Sequence, residues 1–178
     1  MNEFYSDYYR MTGKNFNISI QTVKNILFHH NLRFMFIWRL LKKGFGIVKI
    51  FYYHYNRKYG LEISPQANIG KGFYIGHPYN ITIAEGVTIG KNVNVHKGVT
   101  IGRENRGTRL GVPIIGYKVF IGINATIIGN IRIGNDVMIA PNSFVNFDVP
   151  DHSIVIGNPA KVIKKVDATI GYVNYLVD

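Results

Sequence analysis

From residue 63 onward an aliphatic residue returns at every sixth position, and this period restricts the chain to very few folds. The first set is Ile63, Ile69 and Ile75. After a two-residue slip it resumes as Ile83, Ile89, Val95 and Ile101, and a second set runs Ile115, Ile121, Ile127, Ile133 and Ile139. The next residue is often Gly or Ala, and position i+4 is small or β-branched: Ala67, Val87, Val93, Val99, Val119, Ala125, Ile131, Val137, Ser143. An amphipathic helix needs a spacing of 3.6 and a simple strand a spacing of 2, so a period of six with Gly is neither. Short strands of β-branched residues, each ended by a small residue at a tight corner, wind into a solenoid. Each hexad is then one side of a three-sided coil, with the aliphatic inside and Gly allowing the corner. The expected fold class is mainly β, a parallel β-helix of hexapeptide repeats with a short helical N-terminal segment.

Two places break the period, and irregular segments on a rigid scaffold are where function concentrates. One is the slip at His77-Pro78-Tyr79-Asn80. The other is RENRGTRLGVP, residues 103–113, where fourteen residues separate Ile101 from Ile115 and two hexads need twelve. It reads as a polar loop thrown off the coil. The expected organisation is a basic, aromatic helical segment over 1–60, the β-helix over 61–163, and a tail over 164–178 to which no structure is assigned. Within the first segment, helix is expected over 20–59 with a break near Gly44 and Gly46.

Charge is distributed unevenly. Residues 1–60 hold ten Lys/Arg against Glu3 and Asp7, and 15 of the 24 aromatic residues; the remainder holds eleven Lys/Arg against eight Asp/Glu. Such a segment suits an acidic partner or membrane surface. Arg33, Arg39, Lys42, Lys43 and Lys49 alternate with Phe34, Phe36, Trp38, Phe45 and Phe51, so peripheral membrane contact is expected through residues 33–55, with a helical arm packing on the assembled β-helices as the alternative. The same charges interrupt the most apolar stretch, so a spanning helix is not expected. The start MNEFYSDYYR lacks a basic and then an apolar run, so no signal peptide is expected. Cys is absent, which excludes disulfides and Cys-based metal sites and fits the cytoplasm. No nucleic-acid motif accompanies the charge, so nucleic acid is not expected as a partner.

The runs EISPQANIGKGFYIGH, NVNVHKGVTIG, VFIGINATIIGNIRIGNDVMIAPNS and the closing VPDHSIVIGNPAKVI resemble the hexapeptide-repeat acyltransferases over residues 61–165. Within them they resemble the serine acetyltransferase-like branch that includes capsule and O-antigen acetyltransferases. The resemblance implies a left-handed coil, a homotrimer, and acetyl-CoA as co-substrate in a groove between neighbouring coils. It also implies direct acetyl transfer to a hydroxyl, without a metal.

A hydroxyl is a poor nucleophile near neutral pH, so a positioned base must take its proton as it attacks the thioester. His77 stands where this branch keeps its catalytic His, and Glu62 where serine acetyltransferases keep the Asp that orients it. A carboxylate on the second ring nitrogen would fix the tautomer and stabilise the imidazolium. His96 follows Val95 in a clean hexad and should point outward, with acceptor binding as its expected role. His29, His30, His54 and His152 read as surface or membrane-face residues. The resemblance places Gly122 and Ala140 beside the pantetheine arm and Lys161 and Lys164 at the CoA phosphates.

Departures from serine acetyltransferases bear on the acceptor. Gly76 replaces the acid that holds the substrate ammonium, and Gly111-Val112-Pro113 replaces an Arg-His-Pro run that grips the carboxylate. A site lacking both partners should bind serine poorly. The expected acceptor is therefore a sugar hydroxyl of a cell-surface polysaccharide precursor, with Arg106 and Arg109 of the loop as further substrate ligands. Serine, or another small hydroxyl compound, is the alternative. A non-catalytic β-helix scaffold is the alternative of another class. A carbonic anhydrase on this fold needs three convergent His, and the coils hold two, His77 and His96.

Overall fold

A computed structural model describes residues 3–178. The repeat folds into short strands: β1 (Leu61–Ile63), β2 (Asn68–Ile69), β3 (Tyr74–Gly76), β4 (Ile81–Ile83), β5 (Thr88–Ile89), β6 (Asn94–His96), β7 (Thr100–Gly102), β8 (Ile114–Ile115), β9 (Phe120–Ile121), β10 (Thr126–Ile128), β11 (Arg132–Ile133), β12 (Val137–Ile139), β13 (Phe144–Val145), β14 (Ser153–Gly157) and β15 (Ala160–Lys164). They stack as three parallel sheets, β1-β4-β7-β10-β13, β2-β5-β8-β11 and β3-β6-β9-β12-β14, hereafter sheets A, B and C; β15 joins the end of sheet C antiparallel. About five coils result. Ile63, Ile75, Ile101, Ile121, Ile127, Ile133 and Ile139 are fully buried in one apolar column, with Ala67, Val87, Val93, Val99, Val119 and Ala125 between them.

The strand register measures each coil. Ile63 pairs with Ile83, Ile83 with Ile101, Ile101 with Ile127 and Ile127 with Val145, giving steps of 20, 18, 26 and 18 residues. The regular coil is 18 residues. The first step carries two extra, at His77–Asn80. The third carries eight, because Ile101 and Ile115 lie on consecutive sides: Ile83 pairs with Ile101 while Ile89 pairs with Ile115. One hexad, not two, spans that gap, so more chain leaves the coil than the sequence count suggests. The loop closes on itself through an antiparallel bridge between Glu104 and Gly111, with a 3-10 turn at Gly107–Arg109.

Helices α1 (Glu3–Thr12), α2 (Ile20–Phe28), α3 (His30–Lys42) and α4 (Lys49–Tyr59) precede the coils, and a 3-10 turn at Gly46–Val48 forms the expected break. Helix α1 lies ahead of the region read as helical. The first coil has no coil beneath it, so its backbone groups need partners from elsewhere. Trp38 Nε1 and Tyr52 Oη donate to Ile63 O at 3.1 and 3.0 Å, and Lys42 Nζ donates to Ala67 O at 3.1 Å. The Arg39 guanidinium donates to Ile69 O and Gly70 O at 2.8 and 2.7 Å. Arg10 Nε donates to Gly72 O at 3.1 Å, and Phe73 N donates to Asp7 at 2.9 Å.

Arg39 also pairs with Asp7 at 2.8 Å, and both side chains are buried. Burial raises the Asp7 pKa, with the charge of Arg39 opposing it. These contacts correct part of the expected membrane stripe. Phe34 and Trp38 are fully buried against the first coil, and Arg39 caps it, because an end coil satisfied by side chains is worth more than rings left in water.

Beyond β15 the chain runs back beside sheet C, which accounts for the unassigned tail. Buried Asp136 accepts from Thr169 Oγ1 at 2.7 Å, Ala168 N at 3.1 Å and His152 Nδ1 at 2.9 Å, with Lys118 Nζ at 3.4 Å. Burial alone would raise its pKa, but the hydrogen bonds from Thr169 and His152 and the charge of Lys118 outweigh that and hold it at about 2. His152, read as a plain surface residue, is thus tied to a buried carboxylate. Asn92 exchanges two hydrogen bonds with the Val177 backbone, at 2.8 and 3.0 Å, and Asn94 Nδ2 donates to Tyr172 O at 2.9 Å.

Candidate active site

Sheets C and A meet along one edge of the prism, and four of the nine candidate residues lie on it. The chain crosses this edge after β3, β6, β9 and β12. Backbone bonds stack the crossings: Gly98 N to Tyr79 O at 3.0 Å, Asn124 N to Lys97 O at 3.0 Å, Asn142 N to Ile123 O at 2.9 Å. Gly76, His96, Gly122 and Ala140 follow in register over four successive coils, each about 4.8 Å above the last, and His77 is the residue after Gly76 at the foot of that column.

His77 occupies the corner with the two extra residues. It and Asn80 adopt left-handed backbone, φ 54° and 53°, which turns the longer corner back into register. The His77 ring is exposed, and its centroid lies 6.4 Å from that of His96 in the coil above. His96 does leave the coil, as expected, but is half-buried rather than open. Its ring lies against Phe120 at 4.9 Å, and Tyr172 of the tail covers Phe120 at 4.9 Å. Burial, and secondarily the charge of His77, lowers the pKa of His96, so its ring is neutral at pH 7. Its Nε2 is buried with no hydrogen-bond partner among the described residues.

Two cavities flank the pair. One, of ≈ 460 Å³, has Tyr74, Asn94, His96 and Phe120 as its floor, α1 as a wall and residues 171–175 as its roof. The other, of ≈ 280 Å³, holds His77 with His29, His30, Asn31 and Tyr79 at the junction of α2 and α3. Asn31 Nδ2 donates to Ile75 O at 3.3 Å, which fixes that junction over the corner. Among the described residues no group of three or more His, Cys, Asp or Glu is placed to hold a metal.

The other candidates are distributed as follows. Glu62 points outward from β1, paired through its backbone with Thr82, and no hydrogen bond joins it to His77. Gly122 must be glycine: a Cβ there would come 2.7 Å from Pro141 N and 2.9 Å from Ile139 O. Ala140 is buried above it. Lys161 and Lys164 are exposed on β15. Arg106 and Arg109 are exposed on the loop between β7 and β8, at the A–B edge, so within one chain they stand at a different corner from His77.

Sequence reasoning missed Tyr74 and Phe120, although each directly precedes an inward Ile on sheet C and could have been found as an aromatic at an outward hexad position. It also missed Tyr172 and the α2–α3 junction, which no period marks.

No family model matches the chain. It is 44% identical over 109 residues to serine acetyltransferase 4 of Arabidopsis thaliana, covering 61% of this chain and 31% of that one. It is 39% identical over 112 residues to the serine acetyltransferase of Staphylococcus aureus, covering 63% and 53%. The chain thus spans about a third to a half of the length of these curated relatives. Among solved structures it resembles the soybean serine acetyltransferase apoenzyme at 27% identity and a TM-score of 0.71, covering 91% of this chain and 66% of that one. A serine acetyltransferase from Neisseria gonorrhoeae matches at 27% identity and a TM-score of 0.73, covering 92% and 64%. The fold is that of the left-handed β-helix acyltransferases.

Proposed function

We propose that this chain is an acetyl-CoA-dependent O-acetyltransferase of a small hydroxyl acceptor, with L-serine the first acceptor to test. One observation carries the reading: a histidine stands at the two-residue slip on the C–A edge of a β-helix similar over nine-tenths of the chain to serine acetyltransferases. In the proposed reaction a His77 ring nitrogen takes the acceptor's hydroxyl proton as its oxygen attacks the thioester carbonyl. The tetrahedral adduct collapses, the C–S bond breaks, and the thiolate of CoA leaves and receives the proton from the imidazolium. Glu62 is assigned to orient His77, which requires its side chain to turn toward the ring. The pantetheine arm is assigned to the column above His77, where Gly122 and Ala140 keep the edge low, and Lys161 and Lys164 to the CoA phosphates. A homotrimer would bring the Arg106 and Arg109 loop of one chain to the C–A edge of another. The proposed location is the cytoplasm.

A second reading keeps a carbohydrate hydroxyl as acceptor, and one feature favours it. The position that would hold an acid for the serine ammonium is Gly76, and the space of its side chain is filled by the neutral ring of His96. An uncharged hydroxylated ring suits such a site better than a zwitterion. The experiment is an assay of CoA thiol release with serine, simple sugars and nucleotide sugars side by side. Turnover with serine supports the first reading and turnover with a carbohydrate alone the second. No thiol release with any acceptor, together with no binding of acetyl-CoA, would leave a scaffold.

A further inference from the structure

Helix α4 has two apolar faces, and only one of them is used. Tyr52 and Tyr55 are buried, with Val48 and Tyr59 packed beside them. The opposite stripe, Ile47, Ile50, Phe51 and His54, follows helical spacing from the 3-10 turn onward and faces solvent: Ile47 is 75% exposed, Ile50 71% and Phe51 56%. Phe45, 54% exposed, continues it toward α3. Large apolar side chains left in water over about two turns mark a surface that is covered in use.

The charges around the stripe identify what covers it. Between Asp7 and Glu62 the sequence contains no carboxylate. Lys43, Lys49, Arg57 and Lys58 are exposed around the stripe, and among the described residues none of them forms an ion pair. Lys49 and Lys58 rest over the rings of Tyr53 and Tyr59 at 5.8 and 5.4 Å, which keeps the long stems along the helix and the ammonium groups at its rim. Two copies meeting through this face by a twofold axis would set these cations against each other, with no carboxylate on the helix itself to offset them. A sheet of phosphate headgroups over acyl chains satisfies both halves of the pattern. Helix α2 also exposes Ile20, Val23 and Leu27, but with Lys24 as its single cation it lacks the second half.

We infer that residues 43–58 form an interfacial membrane-docking surface for anionic lipid. Phe45, Ile47, Ile50 and Phe51 enter the headgroup–acyl boundary while Lys43, Lys49, Arg57 and Lys58 meet lipid phosphates. This is a narrower surface than the 33–55 stripe of the sequence, because Phe34, Trp38 and Arg39 belong to the coil cap. No helix of the described residues is long and apolar enough to cross a membrane, so the contact is peripheral. It stands independently of the acceptor and of His77.

The test is flotation of the full chain with vesicles of phosphatidylcholine alone, and of phosphatidylcholine with a quarter phosphatidylglycerol. The chain should float with the anionic vesicles only, and less so at high salt. Lys43→Ala and Lys49→Ala should each lower partitioning about fivefold, and Ile47→Asp/Ile50→Asp should abolish it. All these side chains are exposed, so the melting temperatures should stay at the wild-type value. Absence of flotation with anionic vesicles, or flotation unchanged in the Ile47/Ile50 variant, would overturn the inference. So would a fall in oligomeric mass of that variant by light scattering, which would assign the face to a second copy.

Discussion

Gly76 and His96 share one volume: a Cβ built on Gly76 would lie 2.5 Å from His96 Cε1, closer still to Nδ1, and 3.2 Å from Tyr74 Cε1. Their backbones are paired across β3 and β6, so neither can move away without breaking the coil. Glycine at 76 is therefore the condition for a histidine at 96. Which residue fits at one of the two positions is therefore set by the other.

This coupling gives the first prediction. Gly76→Ala should destabilise by about 1–3 kcal/mol, the scale of overpacking, and the same substitution in a His96→Ala background should cost much less. Thermal melts of the four proteins measure the coupling. The double variant Gly76→Asp/His96→Ala restores an acid at 76 and should lower KM for serine relative to wild type, whichever acceptor the wild type prefers. An unchanged or higher KM would show that position 76 does not face the acceptor ammonium.

His77→Ala should lower kcat by at least about 10²-fold, the usual effect of removing a general base, with an unchanged melting temperature because the ring is exposed. Glu62→Gln should cost less, since the proposed mechanism assigns its carboxylate only to orient the ring and gives it no proton to carry. Near-wild-type turnover of the His77 variant with a verified acceptor would remove the mechanism.

Arg39→Met should destabilise by about 3–5 kcal/mol, the cost of leaving one member of a buried ion pair alone. The loss has two sources. Asp7 keeps its buried carboxyl without its cation, and the carbonyls of Ile69 and Gly70 lose their donors. Urea unfolding at neutral pH measures it. A change below about 1 kcal/mol would mean that the helical cap contributes little to the first coil.

Asp136→Asn should free the tail and expose it to protease, and its effect should depend on pH. The native carboxyl titrates at about 2, below the usual value of about 3.9. A depressed native pKa contributes stability that is full above the unfolded pKa and is lost as pH falls through the native one. The gap in melting temperature between wild type and variant should therefore be constant from neutral pH to about 4 and close as pH approaches about 2. A gap that persists there would mean that the carboxylate charge is not what holds Thr169 and His152.

The repeat was legible because its cause is local. Each hexad places one aliphatic inward and one small residue at a corner, so the inward column from Ile63 to Ile139 can be read without knowing any contact. The positions of His77, Gly122 and Ala140 on crossings from sheet C to sheet A follow from counting the same period. Counting failed at residues 103–113, since a loop leaves no phase of its own and fourteen residues fit one side plus an excursion as well as two sides plus a slip.

What only the tertiary structure decided is where non-periodic segments return to the coil. Basic and aromatic residues suit a membrane or a solenoid end equally well by composition; the unpaired carbonyls of the first coil claimed Trp38, Arg39, Lys42 and Tyr52 and left residues 43–58 outside. The tail carries no pattern either, and its course was set by three buried side chains spaced along sheet C, Asn92, Asn94 and Asp136, whose hydrogen bonds its backbone satisfies. Periodicity determines which residues face the axis. Pairing buried polar groups left over by that periodicity requires partners far along the chain, and no local pattern encodes them.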